Sequence, residues 1–320
     1  MREAFGNALV ALGQRRSDLV VLDADLCNST RAIYFKEAYP ERFIQCGIAE
    51  QNMIGVAAGM AQSGLLPFVT SFAVFLTRRV YDQLIVAVAY PQVDMKIIGA
   101  YGGLSSGKAG PTHQAIEDLA LMRAVPNMCV LAPADDRELE EALIESCEFN
   151  GPVYIRVNRN PVSSLLVSQP RRPFCIGEIY EIRSGVSDVL VFATGVMSAR
   201  ALEAAALLER AGLDVTVVHV PSLKPCDSRA IADKASRKRL VVSLEDHSVI
   251  GGLGAVVSEA LAAQGLPVRH MRIGVSDVFC ESGDEQDLHE KYGLSPRKVA
   301  DQILRELNWQ ADRCEQGERS

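Results

Sequence analysis

Glu50 is the residue of this chain whose position most clearly suggests chemistry. It stands in the segment Gly47-Ile48-Ala49-Glu50-Gln51 and opens a run of apolar and small residues without another charge. Such a run predicts a helix that is buried on most of its faces. A carboxyl group at its start is partly removed from water and can share a proton with a nitrogen base. A carboxylate that only balances the helix macrodipole explains the local sequence equally well.

Two further segments carry groups that suit catalysis or binding. Phe72 and Phe75 directly follow an apolar run, where they could line a pocket for a flat heterocycle or simply pack in the core. His113 ends a glycine-rich loop that spans residues 99–110. A histidine placed there could orient or protonate a substrate oxygen near neutral pH.

Charged residues also follow predicted strands. Arg156 and Arg159 could hold a phosphate, or they could form a salt bridge at a domain edge. Asp23 and Asp25 end another apolar run, where acidic residues often cap the next helix. The Gly-Gly-x-Gly segment at 251–254 favours a turn and close helix packing over phosphate binding.

The elements that position these residues follow from alternating patterns. Apolar runs predict strands, and helical periods separate them. The predicted strands span 19–22, 66–70, 93–98, 128–131 and 153–157 in the first half, and 188–193, 214–220, 240–244 and 268–273 in the second. This alternation indicates an α/β fold with two domains, each a mostly parallel sheet flanked by helices. We place the first domain at 1–160, a linker at 161–174, the second domain at 175–307 and a polar tail at 308–320.

Composition narrows the class of protein. The chain has 320 residues, 48% of them hydrophobic, and a net charge of −7, which argues against nucleic-acid or anionic-membrane partners. No apolar run is long enough to span a bilayer, and the first residues lack the apolar core of a signal peptide. Its eight cysteines show no C-x-x-C pair and no zinc-site spacing, as expected of reduced thiols in a cytoplasmic protein.

Taken in order, these segments resemble the transketolase family over nearly the whole chain. The most specific are Gly47–Gln51, Ser71–Phe75 and Gly110-Pro111-Thr112-His113-Gln114, and Ser243-Leu244-Glu245-Asp246-His247 continues the resemblance. The resemblance implies a thiamine diphosphate enzyme, with a pyrimidine-binding domain followed by a transketolase C-terminal-like domain.

The resemblance also implies roles for individual residues. Glu50 would bind N1′ of the aminopyrimidine and promote its imino tautomer, and His113 would lie near the reacting ketose oxygens. The other implied cofactor contacts are Asp25, Leu26, Ile48, Phe72 and Phe75. The implied substrate contacts are Arg2, Ser29, Tyr101, His113 and Arg159.

Two positions depart from the family pattern on the substrate side. Tyr101 stands where transketolases usually have a phosphate-binding histidine, and Ala109 stands where an aspartate usually contacts a donor hydroxyl. A sugar-phosphate substrate remains the expectation, whereas the two changes weaken the expectation of plain pentose-phosphate transketolase specificity.

The resemblance further implies a divided enzyme. Full-length relatives hold the diphosphate through Mg²⁺ with a Gly-Asp-Gly motif in an earlier domain, and this sequence contains no Gly-Asp-Gly. We therefore expect no metal ligand in this chain. We expect a separate amino-terminal subunit to supply the Mg²⁺ site, in a heterotetramer with two copies of each chain, and a dimer of this chain at its core.

Three alternatives remain open at this level. The chain could be the beta subunit of a 2-oxoacid dehydrogenase, although Gly-Pro-Thr-His-Gln and the arginines argue against that. It could be a fragment of an enzyme like 1-deoxyxylulose-5-phosphate synthase, which shares the segment around Glu50. It could also be a regulatory relative without catalytic activity, but the presence of Glu50 and His113 argues against this.

Overall fold

The chain folds into two sheets, each with helices packed against it. The structure, a computed structural model, describes residues 1–162 and 173–317. Most of the predicted linker and the end of the predicted tail lie outside the described residues. The strands are β1 (Leu19–Asp23), β2 (Phe43–Gln45), β3 (Leu66–Phe72), β4 (Lys96–Ala100), β5 (Cys129–Leu131), β6 (Val153–Val157), β7 (Tyr180–Arg183), β8 (Val189–Ala193), β9 (Thr216–His219), β10 (Ser222–Lys224), β11 (Leu240–Ser248) and β12 (Arg269–Val275).

Helices connect these strands and cover the sheets. They are α1 (Arg2–Arg15), α2 (Cys27–Thr30), α3 (Ile33–Ala38), α4 (Glu50–Gln62), α5 (Ala73–Thr77), α6 (Tyr81–Gln83), α7 (Asp118–Ala124), α8 (Asp136–Glu148), α9 (Met197–Arg210), α10 (Ser228–Ala235), α11 (Leu253–Ala263), α12 (Glu285–Lys291) and α13 (Pro296–Gly317). None of these described helices combines the length and apolarity needed to cross a bilayer.

The sheet topology confirms the predicted fold class. The first sheet has the strand order β10-β5-β6-β4-β3-β1-β2, and the second has the order β12-β11-β8-β9-β7. All neighbouring strands run parallel except the edge strands β10 and β7, which pair antiparallel with β5 and β9. Parallel strands with short connecting helices require cover on both faces, which explains the continuous apolar runs in the sequence.

The two halves of the chain share one sheet, which the sequence did not indicate. β10 belongs to the second half, yet it forms the edge of the first sheet by pairing with β5. Without it, β5 would present unpaired backbone groups at an edge. A buried network also joins the halves, since His219 contacts Glu138 at 2.8 Å and Ser198 at 2.6 Å.

Side-chain alternation along the strands builds a core on each face of the first sheet. On β1, Val20 and Leu22 pack into one core cluster, while Leu19 and Val21 pack into another. This alternation is the period of two that an extended strand imposes. The first of these clusters also contains Leu190 of the second sheet, so it continues across both halves.

The helix that begins at Glu50 is more exposed than its apolar sequence predicted. Met53, Ile54, Ala57 and Ala58 are buried on one face of α4, but Gly55, Val56 and Gly59 face outward. A Cβ placed on either glycine would meet no neighbouring atom. The prediction of burial on most faces was therefore wrong, because small and apolar residues also occupy the outer face.

The glycines at 251–254 pack closely, as the sequence favoured. The backbone N–H groups of Leu253 and Gly254 donate to the Glu245 carboxylate at 2.7 and 2.8 Å, so this side chain caps α11. A Cβ on Gly252 would approach Glu245 Oε2 to 1.9 Å. Glu245 itself lies within β11, not at its end, because this strand continues to Ser248.

Candidate active site

The residues singled out in the first half gather at one edge of the first sheet. Because its central strands are parallel, the segments that follow their carboxyl ends meet there. The contributing segments carry Asp25, Leu26 and Ser29 after β1, Ile48 and Glu50 after β2, Phe72 and Phe75 at β3, Tyr101 and His113 after β4, and Arg159 after β6.

Glu50 is the deeply buried acid of this edge. Its side chain is only 2% exposed, although it stands at the first residue of α4. Nη1 of Arg79 lies 2.8 Å from both carboxylate oxygens. Glu50 therefore accepts hydrogen bonds from a cation that the sequence analysis did not identify.

Arg79 also contacts the aromatic residues. Its guanidinium carbon lies 4.2 Å from the centre of the Phe75 ring, a stacking distance for a cation and an aromatic face. Phe75 and Arg79 are four residues apart, a spacing that places side chains on one side of a helical turn and that could have suggested this contact. The Arg79 guanidinium, a flat group with N–H donors, thus stacks on Phe75 and binds Glu50 at the same time.

Four rings form a continuous aromatic wall beside this pair. The Phe72 and Phe75 rings are stacked with their centres 5.9 Å apart. Tyr101 meets Phe72 edge-on at 4.3 Å, and the His113 ring lies 5.3 Å from Phe75. Phe72 and Phe75 are half-buried, so they are accessible to a ligand, unlike ordinary core residues.

The predicted substrate residues converge on Tyr101. Nη1 of Arg2 donates to the Tyr101 hydroxyl at 2.8 Å and to the Ser29 carbonyl at 3.2 Å. The Arg159 guanidinium lies 5.4 Å from the centre of the Tyr101 ring. Two arginines from distant parts of the sequence therefore approach one phenol at the end of β4.

Gln45 holds the two segments that flank the acid. Its side-chain oxygen accepts the backbone N–H groups of Asp25 at 2.9 Å and Gly47 at 3.0 Å, while its Nε2 donates to Asp23 at 3.0 Å. Asp25 has a positive φ of 61°, a conformation that such local contacts stabilise. Sequence reasoning missed Gln45, since nothing in its neighbours reveals these contacts.

Asp23 is the buried member of the acidic pair after β1. Burial raises the pKa of its carboxyl group, and the hydrogen bond from Gln45 opposes that rise. One of its oxygens accepts the Leu26 backbone N–H at 2.8 Å. Asp23 therefore holds the residue that precedes α2, but the N-cap of that helix is Leu26, which provides no side-chain cap.

Arg156 does not join Arg159 in a phosphate site. It is buried and donates to Asp118 at 2.9 Å and to the Ala115 carbonyl at 2.8 Å. Tyr154 donates to the same carboxylate at 2.7 Å. Of the two arginines considered from the sequence, only Arg159 is exposed at this edge.

Comparison with known proteins identifies the fold's relatives. Residues 1–163 match the family model for the transketolase pyrimidine binding domain, and residues 177–299 match the transketolase C-terminal domain. A solved structure titled split gene transketolase, inactive beta4 tetramer, is 43% identical, with a TM-score of 0.84 over 95% of this chain and 96% of that one.

This chain matches some curated relatives over nearly their whole length and others over about half of it. A putative transketolase C-terminal section from Methanocaldococcus jannaschii is 39% identical over 96% of each chain. A 6-deoxy-6-sulfo-D-fructose transketolase subunit from Clostridium sp. is 38% identical, over 93% of this chain and 92% of the relative. A 1-deoxy-D-xylulose-5-phosphate synthase from Syntrophotalea carbinolica is 36% identical, but the match spans 46% of it. Both domain models match, and a relative named as a C-terminal section matches over nearly its whole length. The chain therefore belongs to the transketolase family and corresponds to its carboxyl-terminal section.

Proposed function

We propose that this chain is the carboxyl-terminal subunit of a thiamine diphosphate-dependent transketolase. The enzyme would transfer a two-carbon ketol unit from a ketose, expected to be phosphorylated, to an aldose acceptor. The observation that carries this proposal is the buried Glu50 carboxylate, which binds a flat N–H donor stacked on Phe75.

The residues at this edge fit the aminopyrimidine end of the cofactor. The Arg79 guanidinium that stacks on Phe75 and binds Glu50 is flat and carries nitrogen atoms. A pyrimidine ring shares both properties. Glu50, Phe72 and Phe75 would hold the ring. Ile48, Asp25 and Leu26 would border it, and Ile48 is 76% exposed beside Glu50, as an apolar contact surface would be. When bound, the cofactor supplies an electron sink for the transferred unit.

Glu50 and His113 would manage the protons. Glu50 lies out of water, where a hydrogen bond from its carboxyl group to a ring nitrogen is strong, and it would hold the proton that favours the imino tautomer. The Nδ1 atom of His113 contacts the Thr112 hydroxyl at 2.9 Å. His113 would therefore present Nε2 to a ketose oxygen.

The arginines support an anionic substrate group. Arg2 and Arg159 both approach Tyr101, and guanidinium groups bind phosphate and sulfonate oxygens in a defined geometry. Tyr101 would donate its hydroxyl where family members use a histidine. These three residues, with Ser29, would hold the end of the sugar that does not react.

A separate amino-terminal subunit would complete the site by holding Mg²⁺ and the diphosphate. Two relatives that this chain matches over nearly their whole length are named as a section and as a subunit, and a solved structure of similar length is titled an inactive tetramer. An exposed apolar surface formed by Ile48, Val56, Val86 and Tyr90 would join two copies of this chain. We propose a cytoplasmic heterotetramer with two copies of each subunit.

A reconstitution assay tests this function against its alternatives. The chain would be mixed with an amino-terminal subunit that carries the Gly-Asp-Gly motif, together with thiamine diphosphate and Mg²⁺. We expect ketol transfer between a ketose phosphate and an aldose phosphate, and no turnover by either subunit alone.

Parallel reactions separate the related chemistries. Condensation of pyruvate with glyceraldehyde 3-phosphate would indicate a 1-deoxyxylulose-5-phosphate synthase. The similarity to the Syntrophotalea enzyme is compatible with this alternative. Oxidative decarboxylation of 2-oxoacids would indicate the dehydrogenase. Robust ketol transfer by this chain alone would refute the divided enzyme.

A further inference from the structure

Three potential metal ligands converge away from the proposed active site. One side-chain atom each from Asp246, Glu285 and His289 lies within 4.8 Å of the other two. Glu285 and His289 are four residues apart on α12, so they share one face of that helix. Asp246 reaches them from β11.

His289 lacks the partners that a buried imidazole normally has. Its side chain is fully buried, and neither ring nitrogen forms a hydrogen bond among the described residues. Leaving such a group without a partner is costly. Its Nε2 lies 3.5 Å from Asp246 Oδ1, too far for a good hydrogen bond. Two ligands of a tetrahedral Zn²⁺ with bonds of about 2.1 Å lie about 3.4 Å apart, which matches this separation.

Both carboxylates are already oriented by neighbours from the first half of the chain. The Leu104 backbone N–H donates to both oxygens of Asp246 at 3.1 Å. The Asn160 amide donates to Glu285 Oε2. Outer contacts of this kind fix the ligands of metal sites and raise their affinity.

The charge at this cluster also favours a cation. Among the described residues, no lysine or arginine forms an ion pair with Asp246 or Glu285. Arg156 acts on Asp246 electrostatically but is itself paired with Asp118 at 2.9 Å. The two carboxylates of this cluster therefore carry negative charge that a divalent ion would balance.

We propose that Asp246, Glu285 and His289 bind a divalent transition-metal ion, with Zn²⁺ as the best fit. One imidazole and two carboxylates suit Zn²⁺, Mn²⁺ or Co²⁺, whereas Mg²⁺ prefers oxygen ligands alone. Glu285 lines a cleft of about 840 Å³ together with Asn158 and Asn160, which gives the ion an entry path and a water as fourth ligand.

The ion would fasten the glycine-rich loop to the second domain. Leu104 begins the short 3₁₀ segment Leu104–Ala109 within that loop, and its N–H binds a metal ligand. Tyr101 stands three residues earlier. The metal would thus act as a structural clamp behind the substrate side of the proposed active site, separate from the Mg²⁺ of the partner subunit.

Titration of the purified, chelator-treated chain tests this site. Zn²⁺ would be added in a calorimeter, and Co²⁺ would be followed by its visible spectrum. We expect one equivalent of each ion to bind, with a spectrum free of the intense bands of thiolate ligands. Glu285→Gln should weaken Zn²⁺ binding roughly tenfold or more, since it removes a charged ligand and keeps the side-chain shape. Asp287→Asn removes the same charge from an exposed position of the same helix, so it serves as the matched control.

One other variant and three contrary outcomes complete the test. His289→Leu fills the buried volume without a ligand atom and should abolish stoichiometric binding. If that variant fails to fold, Glu285→Gln still decides the question. Thiolate bands in the Co²⁺ spectrum, equal affinities for Glu285→Gln and Asp287→Asn, or less than one equivalent of bound ion would each overturn the proposal.

Discussion

At the residue scale, the main finding is that Glu50 is already occupied by Arg79. The guanidinium binds the carboxylate at 2.8 Å and stacks on Phe75, where the pyrimidine is proposed to bind. A ligand that uses Glu50 and Phe75 must displace it. If the cofactor binds there as proposed, Arg79 would compete with it for Glu50 and Phe75.

Replacement of Arg79 should tighten cofactor binding. Arg79→Gln removes a cation from Glu50, and the contact that must be broken is partly exposed to solvent, where ion pairs contribute about 1 kcal/mol or less. We expect the Kd of the reconstituted complex for thiamine diphosphate to fall by about threefold to fivefold, measured by fluorescence quenching or calorimetry.

The neighbouring arginine provides the control. Arg78→Gln removes the same charge, but Arg78 pairs with Glu117 and not with Glu50. Its effect on the Kd should be small. Weaker cofactor binding by Arg79→Gln would show that Arg79 helps to hold the cofactor, contrary to competition.

The sequence predicts some site residues better than others for a physical reason. Glu50 opens an apolar run, Phe72 follows one, and His113 ends a glycine-rich loop, so all three stand out in the local sequence pattern. The contacts of Arg79 with Glu50 and of Gln45 with Asp25 instead join residues that are 29 and 20 positions apart. Such contacts depend on the packed fold, and a single sequence does not show them.

At the element scale, the parallel strands explain where the candidate site lies. The features that the sequence did not predict are the edge strand β10 and the exposed face of α4. The continuous apolar runs of β1, β3 and β4 were enough to predict a covered parallel sheet. β10 was not predicted, because three residues carry little periodicity and its partner β5 lies about ninety positions earlier. The outer face of α4 was wrongly predicted to be buried, because a helix face in the core and a helix face at an interface have a similar apolar composition.

Strand β12 gives the structure a testable pH dependence. His270 lies between two serines, with Nδ1 at 2.9 Å from Ser258 Oγ and Nε2 at 3.0 Å from Ser243 Oγ. Burial, aided by the charge of Arg272, lowers the pKa of His270 to about 4. An unfolded histidine has a pKa of about 6.5, so between these values the unfolded chain binds more protons and stability falls as the pH is lowered.

The effect can be isolated with one variant. From pH 8 to pH 5, His270 should cost the folded chain about 2 kcal/mol. His270→Gln keeps a polar group between the serines but does not titrate, so it should lose about 2 kcal/mol less than the wild type over this range. Urea unfolding at both pH values measures the difference. Identical pH dependence of the two proteins would contradict the assignment.

At the scale of the whole molecule, an exposed apolar surface lies next to the proposed site. Ile48 and Tyr90 are 76% and 84% exposed, and Val56 and Val86 lie on α4 and on the π-helical segment Leu84–Ala89. Helix α4 and the Leu84–Ala89 segment pack against each other, and exposed apolar side chains on neighbouring segments are typical of an interface. If two copies of the chain associate through it, the proposed active site would lie near a subunit boundary, because Ile48 is two residues from Glu50.

A charge placed on this surface should prevent self-association. Val56→Glu puts a carboxylate between Gly55 and Gly59, where a partner would have to bury it. We expect wild-type chains to form dimers or larger assemblies and the variant to be a monomer of 34.7 kDa, by light scattering. Val186→Glu, at a 93% exposed site in the second half, should leave the assembly intact. A monomeric wild type at micromolar concentration would contradict this interface.

The central claim is that Glu50 activates thiamine diphosphate held between this chain and an amino-terminal subunit. Exchange of the hydrogen at C2 of the bound cofactor with deuterium reports that activation directly, in the reconstituted complex and without any sugar. Glu50→Gln keeps the shape of the side chain, while Glu41→Gln changes a carboxylate in the exposed segment Pro40–Arg42 and serves as the control. We predict exchange that is about 10²- to 10³-fold slower in Glu50→Gln and unchanged in Glu41→Gln. Equal exchange rates in Glu50→Gln and the wild type, with the cofactor bound in both, would contradict the assignment of Glu50.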